Sequence, residues 1–142
     1  MIEVGRKIQV LYDGDCGICS RGCEILAMID KRNLFEYTAY QSHTESELNR
    51  FGTDYEKCFK KLVVITLKGK TLFGAFGLNH LFWQYFPYKI GIFLIYALPI
   101  ILVFELIAYK IVASNRAKIS EFFGLRACAL PPQKRSVQYE ER

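Results

Sequence analysis

The stretch Leu11-Tyr12-Asp13-Gly14-Asp15-Cys16-Gly17-Ile18-Cys19 limits the possible folds more than any other part of the chain. Ile8 to Tyr12 is a short apolar run typical of a buried strand, and it stops at an Asp-Gly-Asp turn. Directly after the turn, Cys16, Cys19, Cys23 and Leu26 recur at helical spacing, so a helix follows and closes near Asn33. Two cysteines three residues apart therefore stand where a strand gives way to a helix. Unpaired backbone N–H groups and the helix dipole stabilise a thiolate at such a position.

The elements that follow fit one α/β domain. Leu34 to Thr38 alternates as a second strand, and Thr44-x-x-Glu47 has the form of a capping box for a short helix that stops at Gly52. Leu62 to Leu67 is a β-branched run that turns through Lys68-Gly69-Lys70 into Thr71 to Phe73, a hairpin. Ala75 to Phe86 reads as a helix ending before Pro87. The resulting order, β-α-β-α-β-β-α with the dithiol at the first helix, is that of a thioredoxin-like fold. A right-handed crossover between parallel first strands puts Cys16 at the carboxyl edge of the sheet, where α/β proteins keep their sites.

Beyond Pro87 the character changes. Ile90 to Phe104 carries no charge and is interrupted by Pro99, and between Thr71 and Tyr109 the only formal charges are Lys89 and Glu105. The uncharged run falls short of the ~20 residues that span a bilayer. Helices packed on the sheet or on each other, an element lying on a membrane surface, and a span extended through Glu105 are the three placements open to it. Ser114-Asn115-Arg116 reads as a polar break before a last short helix ending at Gly124. The net charge of +5 is scattered in ones and twos among acidic residues, which describes a solvated surface and not a nucleic-acid footprint.

Five cysteines, an odd number, and an N-terminus that runs into a strand without an apolar leader point to a reducing compartment and away from a disulfide framework. The expected location is cytoplasmic, with membrane association as the alternative. In the Cys16/Cys19 pair, the residue at the helix start and nearer solvent is expected to attack a substrate disulfide. Cys19, one turn in and more buried, is expected to resolve the mixed disulfide. Asp13 and Asp15 serve either as turn and cap residues or as a proton relay for Cys19, and Gly14 between them supplies a conformation that a side chain forbids. Cys23 extends the pattern to C-x-x-C-x-x-x-C, but a zinc site draws on a second knuckle and the chain has none, so Cys23 reads as core. Neither a metal nor a cofactor is expected. Cys58 reads as inert, and His43 and His80 as surface or capping residues.

Tyr-Asp-Gly-Asp-Cys-Gly-Ile-Cys at 12–19 resembles the D-x-x-C-x-x-C signature of the DCC family of predicted thiol-disulfide oxidoreductases, which are thioredoxin-like. Gln41-Ser42, the hairpin followed by Gly74 to Gly77, and an apolar helix leading to Asn115-Arg116 with a later Cys128 are similar to that family as well. The resemblance implies that Asp13, Cys16 and Cys19 are the functional residues, with Arg116 and Cys128 as auxiliary candidates; Asp15 joins the auxiliary candidates from its place in the turn beside Cys16. The resemblance supplies no substrate; the dithiol itself leads to the expectation of a disulfide or dithiol substrate, of protein or low molecular weight. On this basis residues 1–86 form a thioredoxin-like domain, 87–130 an apolar helical extension packed on it or on a membrane surface, and 131–142 a disordered tail. A membrane-associated thioredoxin-like interaction module without catalysis is the alternative, and a metal or iron–sulfur protein a further one. At one point the chain departs from thioredoxins: they carry a cis-proline just before the third strand, and Lys60-Lys61-Leu62 stands here.

Overall fold

In the computed structural model, residue 2, residues 5–85 and residues 87–125 are described. Four strands, β1 (Ile8–Tyr12), β2 (Phe35–Ala39), β3 (Val63–Ile65) and β4 (Thr71–Phe73), form one sheet in the order β2-β1-β3-β4. β1 pairs parallel with β2, Val10 opposite Tyr37, and antiparallel with β3, Val10 opposite Val64. β3 and β4 close the sheet as an antiparallel hairpin. The parallel pair is joined by α1 (Gly17–Ile29), so the first crossover is the expected one and the dithiol lies at the carboxyl end of β1.

The two-residue period of β1 sorts the core into two layers. Ile8 and Val10 point to one side, with Cys23, Phe35, Val64 and Leu81. Leu11 points to the other, with Tyr40, Leu48, Cys58, Val63 and Ile65. α1 and α4 (Gly74–Trp83) cover the first face, while α2 (Glu45–Asn49) and α3 (Tyr55–Lys60) cover the second. With helices on both faces of a mixed sheet, the architecture is thioredoxin-like α/β, extended at its C-terminal end by α5 (Tyr88–Ala97) and α6 (Pro99–Phe122).

Three expectations need correction. α3 was not anticipated; Asp54 caps it by accepting from Lys57 N–H at 2.8 Å. The polar stretch at 114–116 does not break a helix. Ser114 Oγ and Asn115 Nδ2 donate to the Lys110 and Ile111 carbonyls one turn back, so α6 runs unbroken past them. His43 is buried, not on the surface: its ring nitrogens reach Thr38 Oγ1 at 3.1 Å and Glu47 Oε2 at 3.2 Å, tying β2 to α2. Thr44 does cap α2, and the Glu47 carboxylate accepts from Ile2 N–H.

Candidate active site

The turn between β1 and α1 is fixed by side chains. Asp13 Oδ1 accepts from Asp15 N–H at 3.2 Å, and Cys16 N–H donates to the Asp13 carbonyl at 3.1 Å. Gln41, just beyond β2, clamps the turn from outside. Its Nε2 donates to Asp13 Oδ1 at 2.7 Å and to Asp15 Oδ2 at 3.2 Å, while its Oε1 accepts from Gly14 N–H at 3.1 Å. Gly14 is needed for space and not for an unusual backbone angle: a Cβ there would lie 2.8 Å from the Ala39 Cβ. Asp15 thus serves the turn at the surface, whereas Asp13 is buried with the dithiol.

Cys16 is the N-cap of α1, in an extended conformation, and its carbonyl accepts the first helical bond from Ser20 N–H at 2.9 Å. Cys19 Sγ donates to Cys16 Sγ at 2.9 Å, and neither cysteine is in a disulfide. That hydrogen bond first, and then burial, hold the Cys19 thiol far above its ordinary pKa, against the pull of the nearby Arg116 guanidinium. The expected exposure is reversed. Cys16 is fully buried and Cys19 the more open of the two, because the last turns of α6 lie across the first turn of α1.

Three side chains of α6 reach this region. Ser120 Oγ, fully buried, accepts from Ile18 N–H at 3.2 Å and so supplies from another helix the bond an N-cap side chain would make. Arg116 Nη2 lies 3.7 Å from Asp13 Oδ2, an oxygen that accepts no hydrogen bond from the described residues, and the guanidinium stacks 4.4 Å from the centre of the Phe59 ring. Tyr109 Oη accepts from Leu62 N–H at 3.1 Å, on the backbone just ahead of β3 where thioredoxins place their cis-proline. Gly74 makes that approach possible: its φ is +59°, and a Cβ there would meet the Tyr109 ring at 2.9 Å.

Between α1, α6 and the sheet lies a cavity of about 250 Å³ whose wall includes Asp13, Cys19, Cys23, Tyr109 and Arg116. Cys23 and Cys58 border it as buried thiols, and burial pushes them up to about 12 and about 11. Among the described residues no three His, Cys, Asp or Glu side chains come together as a metal site requires.

Of the residues singled out from sequence, Asp13, Cys16, Cys19 and Arg116 are brought together, Asp15 lies at the rim, and Cys128 lies outside the described residues, as do 131–142. Tyr109 and Ser120 were missed, for their role depends on α6 folding back over α1. The model of the DCC1-like thiol-disulfide oxidoreductase family matches residues 10–122. No curated protein and no solved structure matches the chain.

Proposed function

We propose, from the premise that this chain belongs to the DCC1-like thiol-disulfide oxidoreductase family, that Cys16 and Cys19 are its reacting pair. The observation that carries the proposal is the 2.9 Å hydrogen bond from Cys19 to Cys16. A thiol that donates to its neighbour favours the thiolate there, and the first turn of α1 adds the dipole that stabilises it. Cys16 is therefore the nucleophile, and Cys19 the thiol that keeps its proton until needed.

In the reductive direction the Cys16 thiolate attacks one sulfur of R–S–S–R′. The Cys16–S–S–R bond forms, the substrate S–S bond breaks, and R′S⁻ leaves and takes up a proton. Cys19 then gives up its proton and attacks Cys16 Sγ, and RS⁻ leaves and is protonated in turn. The protein ends as the Cys16–Cys19 disulfide, two electrons and two protons having passed to RSH and R′SH. Asp13 is the group we assign to accept the Cys19 proton. Its carboxylate shares the cavity wall with Cys19, and Oδ2 accepts no hydrogen bond from the described residues. Arg116, 3.7 Å from the same oxygen, favours the charged state of Cys19.

The test is a trapping experiment with oxidised glutathione. Cys19→Ser is expected to gain one glutathionyl group on Cys16 by intact mass, and Cys16→Ser none at position 19. A folded Cys19→Ser protein that takes up no adduct would overturn the assignment.

A further inference from the structure

We propose that the corner between α5 and α6 is a wedge that inserts into one leaflet of an anionic bilayer. Phe93, Leu98, Ile100, Val103, Phe104 and Ile107 are each half or more exposed, far beyond the scattered apolar residues of an ordinary surface. At about 100° per residue, the exposed positions of early α6 cover well over half of its circumference. Among the described residues, only the side bearing Leu102, Glu105 and Tyr109 is turned to the protein. A helix that is apolar on nearly all sides is built for immersion. A second copy of the chain would cover one stripe and leave the rest in water.

Charge placement points the same way. No formal charge occurs from Ile90 to Phe104. The next residue, Glu105, is tied inward, its Oε2 accepting from the buried Asn79 Nδ2 at 3.0 Å. Apart from this inward-tied Glu105, the first charges on either side of the corner are Lys89 and Lys110, both cationic and both exposed, which suits a headgroup layer carrying anionic lipids.

The geometry sets the depth. Among the described residues no single helix is long and apolar enough to cross a membrane, and α5 and α6 are bent by 108° at their junction. From Pro99 to Ile107 α6 rises about 12 Å, within one leaflet of a hydrocarbon core ~30 Å thick. Past Lys110 the same helix reaches Arg116 and Ser120 at the dithiol. The docked wedge thus holds the dithiol about two helical turns above the lipid surface.

The experiment is flotation of the full chain with vesicles of phosphatidylcholine alone and of equimolar phosphatidylcholine and phosphatidylglycerol. The chain is expected to float with the mixed vesicles and much less with the neutral ones. Ile100→Asp with Phe104→Asp, two exposed positions whose variant far-UV circular dichroism should match the parent, is expected to reduce partitioning by at least about tenfold. Lys89→Glu with Lys110→Glu is expected to abolish the preference for anionic vesicles. The proposal is overturned if the parent chain stays at the bottom of both gradients. It is equally overturned if the aspartate pair leaves flotation unchanged, or if it instead dissolves a lipid-independent dimer.

Discussion

Over residues 99–108, α6 carries a single charge and leaves Ile100, Val103, Phe104 and Ile107 in the open. Over residues 109–122 it carries Lys110, Arg116, Lys118 and Glu121, yet this is the half that meets the rest of the protein. Tyr109 reaches the backbone ahead of β3, Arg116 reaches Asp13, and Ser120 reaches the first turn of α1. The usual relation between polarity and burial is inverted along one helix. What decides burial here is whether a side chain can answer an unpaired group on the body: a backbone N–H in two cases and a buried carboxylate in the third. In the apolar half only Glu105 has such a partner among the described residues, the buried Asn79 Nδ2, and the exposed apolar side chains around it keep their surface for something else.

If the polar half holds α6 in place, the largest effect should follow from Arg116→Leu. It removes the cation beside a carboxylate that is almost wholly buried, together with the stacking on Phe59. Leaving one buried charge unpaired costs about 3 kcal/mol, read as a lower midpoint in urea, and Arg116→Lys should recover part of it. An unchanged midpoint would break the comparison. Gly74→Ala comes next. It combines a left-handed backbone angle with a Cβ pressed on the Tyr109 ring, for a loss of about 2 kcal/mol. In a Tyr109→Leu background the steric share should vanish and only the backbone share remain, so the double-mutant cycle reports how firmly α6 is seated.

A pH titration separates the cavity floor from the α6 wall. Burial raises Cys23 to about 12 and Cys58 to about 11, whereas thiols in the unfolded chain ionise near ~8.5. Above that pH the unfolded state loses protons that the folded state retains, and unfolding becomes easier. Stability is therefore complete below about pH 8.5 and falls above it by about 1.4 kcal/mol per pH unit for each such thiol, up to its folded value. Cys23→Ala should lower the stability at neutral pH but flatten this slope, measured by urea denaturation between about pH 8.5 and pH 11. A slope that Cys23→Ala does not change would show that Cys23 is not a buried protonated thiol.

Most of the fold was legible because its signals are local. The β-branched run ending in Asp-Gly-Asp marks β1, the helical cysteine spacing marks α1, and Lys-Gly-Lys marks the hairpin. α3 was missed although Asp54 is a good N-cap, because its single turns of Tyr55 to Lys60 are too short to display a period. The site was legible only in part for a different reason. Asp13, Cys16 and Cys19 lie within seven residues of sequence, whereas Tyr109 and Ser120 become part of the site only when α6 returns across α1. For the same reason the sequence reading left Cys16 open to solvent: the helix start is exposed until Ser120 covers it.

The smallest prediction tests the inversion most directly, since it sets a small polar side chain against a large apolar one. Ser120→Ala removes one oxygen, but that oxygen is the acceptor for Ile18 N–H at the start of the dithiol helix, and the N–H would stay buried without a replacement. The expected loss is about 1 kcal/mol, the usual value of a helix cap. Phe104→Ala removes a whole aromatic ring, which in a core would be worth several times more. Phe104 is 67 % exposed, so its ring gains little on folding in water and the loss should stay within about 0.5 kcal/mol. Paired urea denaturation curves in lipid-free buffer decide the matter. If Phe104→Ala proves the more damaging of the two, the apolar half of α6 is packed on the body after all.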